Sequence, residues 1–149
     1  MIRIDWRSER GFVGGFEAIP FGILTFVVGA LVIVNAWAVI DAKLAVTAAS
    51  REGVRVFVES DEAKAGGLAS SRAAEALNAY GRSDGRENIG AVTASSGFSR
   101  CSRVSMEVSY TVPAIALPWI GGFGDSITVR SVHSEIIDPY RDGVPEGGC

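Results

Sequence analysis

Histidine occurs once and cysteine only twice in this 149-residue chain, so the ligand set of a zinc site is missing. Lysine is also scarce. The basic residues are mostly arginine, scattered singly, and the net charge is −3, which leaves no electrostatic footprint for nucleic acid. No lysine follows the glycines of Gly121-Gly122-Phe123-Gly124-Asp125-Ser126 as a phosphate loop requires, and this stretch reads as a hairpin loop. His133, Ser134 and Glu135 are consecutive, so on a strand His133 and Glu135 share one face while Ser134 takes the other. That pattern describes a polar strand edge, not a hydrolytic triad. Asp138, Asp142 and Glu146 are too sparse for calcium, and Asp61 and Glu62 read as helix capping. No enzymatic activity, metal or other cofactor is expected.

Charge is missing altogether from Ala18 to Ile40, where only Thr25 and Asn35 carry polar side chains. At about 1.5 Å per residue, a helix of this length crosses the roughly 30 Å hydrocarbon layer of a membrane. The expected organisation is a cytoplasmic N-terminal tail over 1–17, a transmembrane helix over 18–40, a helical stalk over 41–60 and an extracytoplasmic α+β domain over 61–149. Arg3, Arg7 and Arg10 before the span balance Lys43, Arg51 and Arg55 after it, and the residues nearest the bilayer tip the balance toward a cytoplasmic N-terminus. A cleaved signal peptide is the competing reading, since Ala36-Trp37-Ala38 fits the small-x-small pattern with the cut after Ala38. Against it, the apolar run exceeds the usual h-region of about 7 to 15 residues and continues through Val39 and Ile40.

Gly15, Gly22, Gly29 and Ala36 recur every seven residues and draw a groove of small side chains along one helix face, open to a partner helix. Glycine is also common in membrane helices generally. Glu17 precedes the span immediately. It is either an ordinary interfacial acid or a group seeking a cation on a neighbouring chain, such as a free α-amino group. Cys101 and Cys149 form a disulfide if the domain lies in an oxidising compartment, and are otherwise two free thiols.

Beyond Ile40 the helix continues through Ala42 to Val58, with Leu44, Ala48, Val54, Arg55, Phe57 and Val58 on a loosely amphipathic face. A second helix covers Leu68 to Tyr80, with Ala69, Ala73, Ala76, Leu77 and Tyr80 on one stripe and Gly81 as its stop. Alternation is clearest from Arg103 to Val112, where Val104, Met106, Val108, Tyr110 and Val112 face one way. Ile127 to Ile137 is a second strand whose apolar phase shifts between Val129 and Val132, as a bulge would produce, and a weaker strand covers Ile89 to Ser96. The fold class is α+β, with a small antiparallel sheet of about three strands. Between the strong strands, Pro113 to Gly124 is apolar, with Ile115, Leu117, Trp119, Ile120 and Phe123, but is broken by Pro118 and glycines. It either folds back on the sheet or forms an adhesive surface toward a partner or the membrane interface.

The stretches Arg10-Gly11-Phe12, Phe16-Glu17-Ala18-Ile19-Pro20 and Ala48-Ala49-Ser50-Arg51-Glu52-Gly53-Val54-Arg55 flank and contain the apolar run. Together they resemble the N-terminus of TadE-like proteins, minor pseudopilins of the Tad (tight adherence) Flp pilus system. Val108-Ser109-Tyr110-Thr111-Val112-Pro113, Leu117-Pro118 and Asp138-Pro139-Tyr140-Arg141 resemble the distal half of actinobacterial members. The resemblance implies a pseudopilin-like fold and a role in pilus assembly or a related secretion system. It also implies partners among other Tad pilins and an assembly platform. In the family a prepilin peptidase cuts on the cytoplasmic side after a glycine, leaving a glutamate fifth in the mature chain. A cut between Gly11 and Phe12 leaves Glu17 sixth, and cuts after Gly14 or Gly15 bring it closer to the new end. The alternative is a secreted or anchored extracellular binding module released by cleavage after Ala38.

Overall fold

The computed structural model describes residues 18–117 and 121–149. One helix, α1 (Ala18–Glu59), runs without a break through the apolar segment and on into the domain. A second helix, α2 (Glu62–Ala79), packs beside it and is followed by β1 (Glu87–Ile89), β2 (Thr93–Ala94), β3 (Arg103–Leu117) and β4 (Gly121–Ile136). All strand pairs are antiparallel. β3 is the centre of the four-stranded sheet, with β4 along one side and the two short strands β1 and β2 in succession along the other.

The core is the helix-facing side of β3 pressed on one stripe of α1. Val104, Met106, Val108, Tyr110 and Val112 are buried, and so are Ala42, Ala45, Val46, Ala49, Ser50, Gly53 and Val54. The small residues let the backbones approach closely. A Cβ on Gly53 would strike the Met106 sulfur and crowd the Ala69 carbonyl of α2, so three elements meet at that glycine. Each fully buried valine here contributes on the order of 1.5 to 3 kcal/mol. The segment 41–60 is therefore the spine of the domain, and its buried face differs from the expected one, because Leu44 is exposed. α2 buries Ala65, Ala69, Ala73 and Leu77, an i, i+4 stripe.

Helix α2 begins at Glu62, a turn and a half before Leu68. Asp61 is its N-cap residue with extended backbone, but its side chain makes no capping hydrogen bond. Tyr80 is the C-cap and is exposed, whereas it was expected on the buried stripe. Gly81 stops the helix at φ +66°, with its N–H donating to Asn78 and the Arg82 N–H to Leu77, a Schellman closure that needs the left-handed residue.

Three strand expectations are corrected. The weak strand over Ile89–Ser96 is two short strands running in one direction along β3, because the chain carries one extra residue between Ile89 opposite Val108 and Thr93 opposite Ser105. Gly90 donates to the Glu107 carbonyl there and packs against it too closely for a Cβ. The register of β4 is unbroken from Ile127 to Ile136, so there is no bulge between Val129 and Val132; Val132 simply points outward, and the irregularity lies between Pro113 and Ile115. The described parts of the apolar segment, 113–117 and 121–124, do not fold back on the sheet as a loop. β3 and β4 stay paired to Leu117 opposite Gly121, so the segment extends the hairpin. Pro113 is tolerated because β1 pairs β3 no further than Tyr110, leaving one edge where a missing N–H costs nothing.

Gly53→Leu overpacks the three-element contact and is expected to cost about 1 to 3 kcal/mol. Gly66→Ala places a methyl in open space within α2 and should add about 1 kcal/mol through helix propensity. Thermal unfolding of the detergent-solubilised chain reads the two as Tm shifts of opposite sign.

Candidate functional site

The surface that sets this chain apart is the N-terminal half of α1. Among the described residues one helix is long and apolar enough to cross a membrane, and its most apolar window has no residue buried inside the structure. Phe26 is 77% exposed, and Phe21, Ile33 and Trp37 are nearly as open. Thr25 and Asn35, the two polar side chains, each donate to the carbonyl four residues back, Phe21 at 2.9 Å and Leu31 at 2.8 Å, which quenches their polarity along the helix.

Gly22, Gly29 and Ala36 are exposed, and a Cβ at Gly22 or Gly29 would meet nothing. Among the described residues, the small-residue face at Gly22, Gly29 and Ala36 is therefore free of the chain's own domain. Leu31, Asn35, Ala38 and Val39 occupy a different face and are half-buried toward the domain. Gly11, Phe12, Gly15 and Glu17 lie outside the described residues, as do Trp119 and Ile120. Ile115 is exposed, and Leu117 and Phe123 belong to the paired ends of β3 and β4.

Charge returns at the top of the apolar surface in an ordered cluster. Arg82 donates to Asp41 at 2.7 Å and to the Ala38 carbonyl at 3.4 Å, and its guanidinium lies 5.0 Å from the centre of the Tyr110 ring. The Tyr110 hydroxyl in turn donates to both oxygens of Asp84, at 3.0 and 3.1 Å. Burial raises the Tyr110 phenol above its ordinary range; Arg82 opposes the rise and the Asp84 carboxylate reinforces it. The first charged residue after the apolar run is thereby tied to the loop after α2 and to the central strand.

A second arginine holds the far end of the helix. Arg141 donates to the carbonyls of Val58, Glu59 and Ser60, the last two at 3.1 and 2.9 Å, covering orphan acceptors at the α1 C-terminus. Sequence reasoning did not find this role, because the cap comes from a residue more than eighty positions away. A disulfide joins Cys101 to Cys149 across a separation of 48 residues, with Cα atoms 5.3 Å apart. The tail it anchors is also held by the Arg100 N–H on the Pro145 carbonyl at 3.0 Å.

His133 and Glu135 share the helix-facing side of β4 at 3.4 Å, and Ser134 bonds Ser105 across the opposite face at 3.0 Å. Among the described residues no group of three or more His, Cys, Asp or Glu is placed to hold a metal ion. Comparison of the chain with protein-family models, with curated proteins and with solved structures finds no match.

Cys149→Ser opens a loop whose closure, at a separation of 48 residues, is worth about 4 kcal/mol by chain entropy. The variant should melt well below the oxidised wild type and lose its response to reductant. Tyr110→Phe removes a hydrogen bond to a half-exposed carboxylate and is expected to cost about 1 kcal/mol at neutral pH. Because the folded phenol is raised, its contribution is fully present below the unfolded-state value of about 10 and is lost as pH climbs through the higher folded-state value. Denaturation followed on the alkaline side should show that loss in the wild type and not in the variant.

Proposed function

We propose that this chain is a non-enzymatic TadE-like minor pseudopilin, anchored in the cell membrane by α1 and acting in assembly of a Tad/Flp pilus or a related secretion system. Its N-terminus is cytoplasmic and its α+β domain extracytoplasmic. The observation that carries the reading is the division of α1: apolar over Ala18–Ile40 with no residue there fully buried, then buried as the spine of the domain from Ala42. A helix exposing that much apolar surface to water would be strongly unfavourable, and lipid and neighbouring helices are the surroundings that suit it. The disulfide suits a domain outside the cytoplasm.

In this reading the face bearing Gly22, Gly29 and Ala36 admits a neighbouring pilin helix, and Glu17 pairs with that neighbour's amine. A prepilin peptidase cutting between Gly11 and Phe12 supplies the same group on this chain. Cleavage after Ala38, the mark of a secreted binding module, would sever a continuous helix at a carbonyl already bonded to Arg82.

Glu17→Gln should leave the chain in the carbonate-resistant membrane fraction while abolishing co-purification with partner pilins. Unchanged co-purification counts against the pairing. N-terminal sequencing of membrane-extracted protein should give a start at Phe12; a start at Val39 would replace the pilin reading with the secreted module.

A further inference from the structure

Residues 138–149 follow β4 as a strap of turns laid across the end of α1. Apolar burial holds it weakly, since Val144 is its one buried residue. Polar contacts fix the rest. The Arg141 guanidinium reaches the carbonyls of Val58, Glu59 and Ser60 and lies 5.7 Å from the centre of the Phe98 ring. Arg100 donates through its side chain to the Arg141 carbonyl and through its N–H to the Pro145 carbonyl, both at 3.0 Å. Gly147 packs on the Arg100 carbonyl where a Cβ has no room, which brings Cys149 within reach of Cys101. The turn that receives the strap is strained. Among the described residues Cys101 is the one non-glycine residue in the left-handed region, at φ +62°, a conformation that an L-residue keeps only where its surroundings impose it. Those surroundings are the disulfide, the strap's hold on Arg100, and the bond from the Cys101 N–H to the Ile137 carbonyl. With the sulfurs separated, one buried valine and a few hydrogen bonds are left to hold the strap against its conformational entropy.

The bond is also open to attack. Cys149 is exposed and Cys101 half-buried, and the two line a cleft of about 510 Å³ with Ile136, Pro139 and Gly148. We propose that the Cys101–Cys149 disulfide is a reversible latch, opened by thiol–disulfide exchange at Cys149 with a dithiol such as the Cys-x-x-Cys pair of an oxidoreductase. One thiolate of the dithiol attacks the exposed Cys149 sulfur; the bond to Cys101 breaks, and Cys101 leaves as a thiolate that takes up a proton. The second thiol of the pair, deprotonated, attacks the mixed disulfide and releases Cys149. Both cysteines end reduced and the dithiol ends oxidised to its own disulfide. The freed strap lifts Arg141 from α1, which leaves the carbonyls of the last turn without their cap and uncovers the edge-on pair Phe57 and Phe98. The packing of α1 on β3 over Ala42–Val54 is made by other residues and stays closed.

The test compares the full chain in detergent micelles with and without dithiothreitol by hydrogen–deuterium exchange, below its melting temperature. Reduction is expected to raise amide exchange about tenfold or more in 138–149 and in the last turn of α1, 56–60, and to leave 42–54 and 104–112 unchanged. Reoxidation restores the original pattern. A brief pulse of reduced glutathione, quenched in acid, leaves glutathione on Cys149 in the peptide map. A bond that dithiothreitol does not reduce in the folded chain overturns the latch, as does unchanged protection of 138–149 after reduction. Loss of protection throughout 104–112 makes the bond a support of the whole domain and also overturns it. Release of the strap with 56–60 still protected overturns its link to α1, and glutathione found on Cys101 overturns the assignment of Cys149 as the sulfur attacked.

Discussion

The close approach of α1 to β3 fixes everything else in the molecule. Ala42, Ala45, Ala49 and Gly53 present almost no side chain, so the sheet's central strand lies directly against the helix backbone with Val104, Met106 and Val108 filling the contact. No proline interrupts the chain from Phe21 to Glu59, and a helix without such a break bends only gently. The domain is consequently mounted on the apolar half of α1, with no linker between them. Any displacement or rotation of the apolar half of α1 therefore carries the sheet along.

Two arginines bracket the mounted length of that helix. Arg82 holds Asp41 and the Ala38 carbonyl where the helix enters the domain, and Arg141 collects the free carbonyls where it ends. Arg141 lies inside the loop closed by Cys101 and Cys149, and Arg100 donates to its carbonyl at 3.0 Å, so the disulfide restrains the arm that caps the helix. The covalent bond therefore holds in place the segment whose charge-assisted cap closes the end of α1. Phe57 and Phe98 meet edge-on nearby, at 5.6 Å between ring centres, and fill the space beneath the cap.

Local pattern made much of this fold legible. The alternation of β3 from Arg103 to Val112, the Ala69, Ala73, Leu77 stripe of α2 and its stop at Gly81 all follow from side-chain period and backbone freedom, which are properties of adjacent residues. Ala-Ser-Arg-Glu-Gly after the apolar run caught attention as a resemblance, and its physical content is packing: Ala49, Ser50 and Gly53 are buried while Arg51 and Glu52 face solvent. Legibility failed where distant residues decide. Pro113 and the glycines of 121–124 signalled a broken loop, but a strand with a vacant edge tolerates both. The apparent phase shift in β4 came from counting Val132 as core, when the face opposite Met106 carries His133 instead. The Arg141 cap has no sequence mark at all.

That polar inward face of β4 bears on how the molecule associates. The strand is sixteen residues long and is paired on one side, by β3, among the described residues, a length that would ordinarily invite another chain to add to the sheet. Ser131, His133 and Glu135 point toward the helix along that edge, half-buried, with Ser131 bonded to Ser50 at 3.2 Å and Lys43 donating to the Arg130 carbonyl. An incoming strand would have to desolvate the His133–Glu135 pair and displace Lys43, and inward-pointing polar groups of this kind are one of the ways natural sheets keep an edge closed. With that edge guarded, the exposed apolar face of α1 is the largest apolar surface among the described residues, and the anchoring and helix-pairing proposals both rest on it.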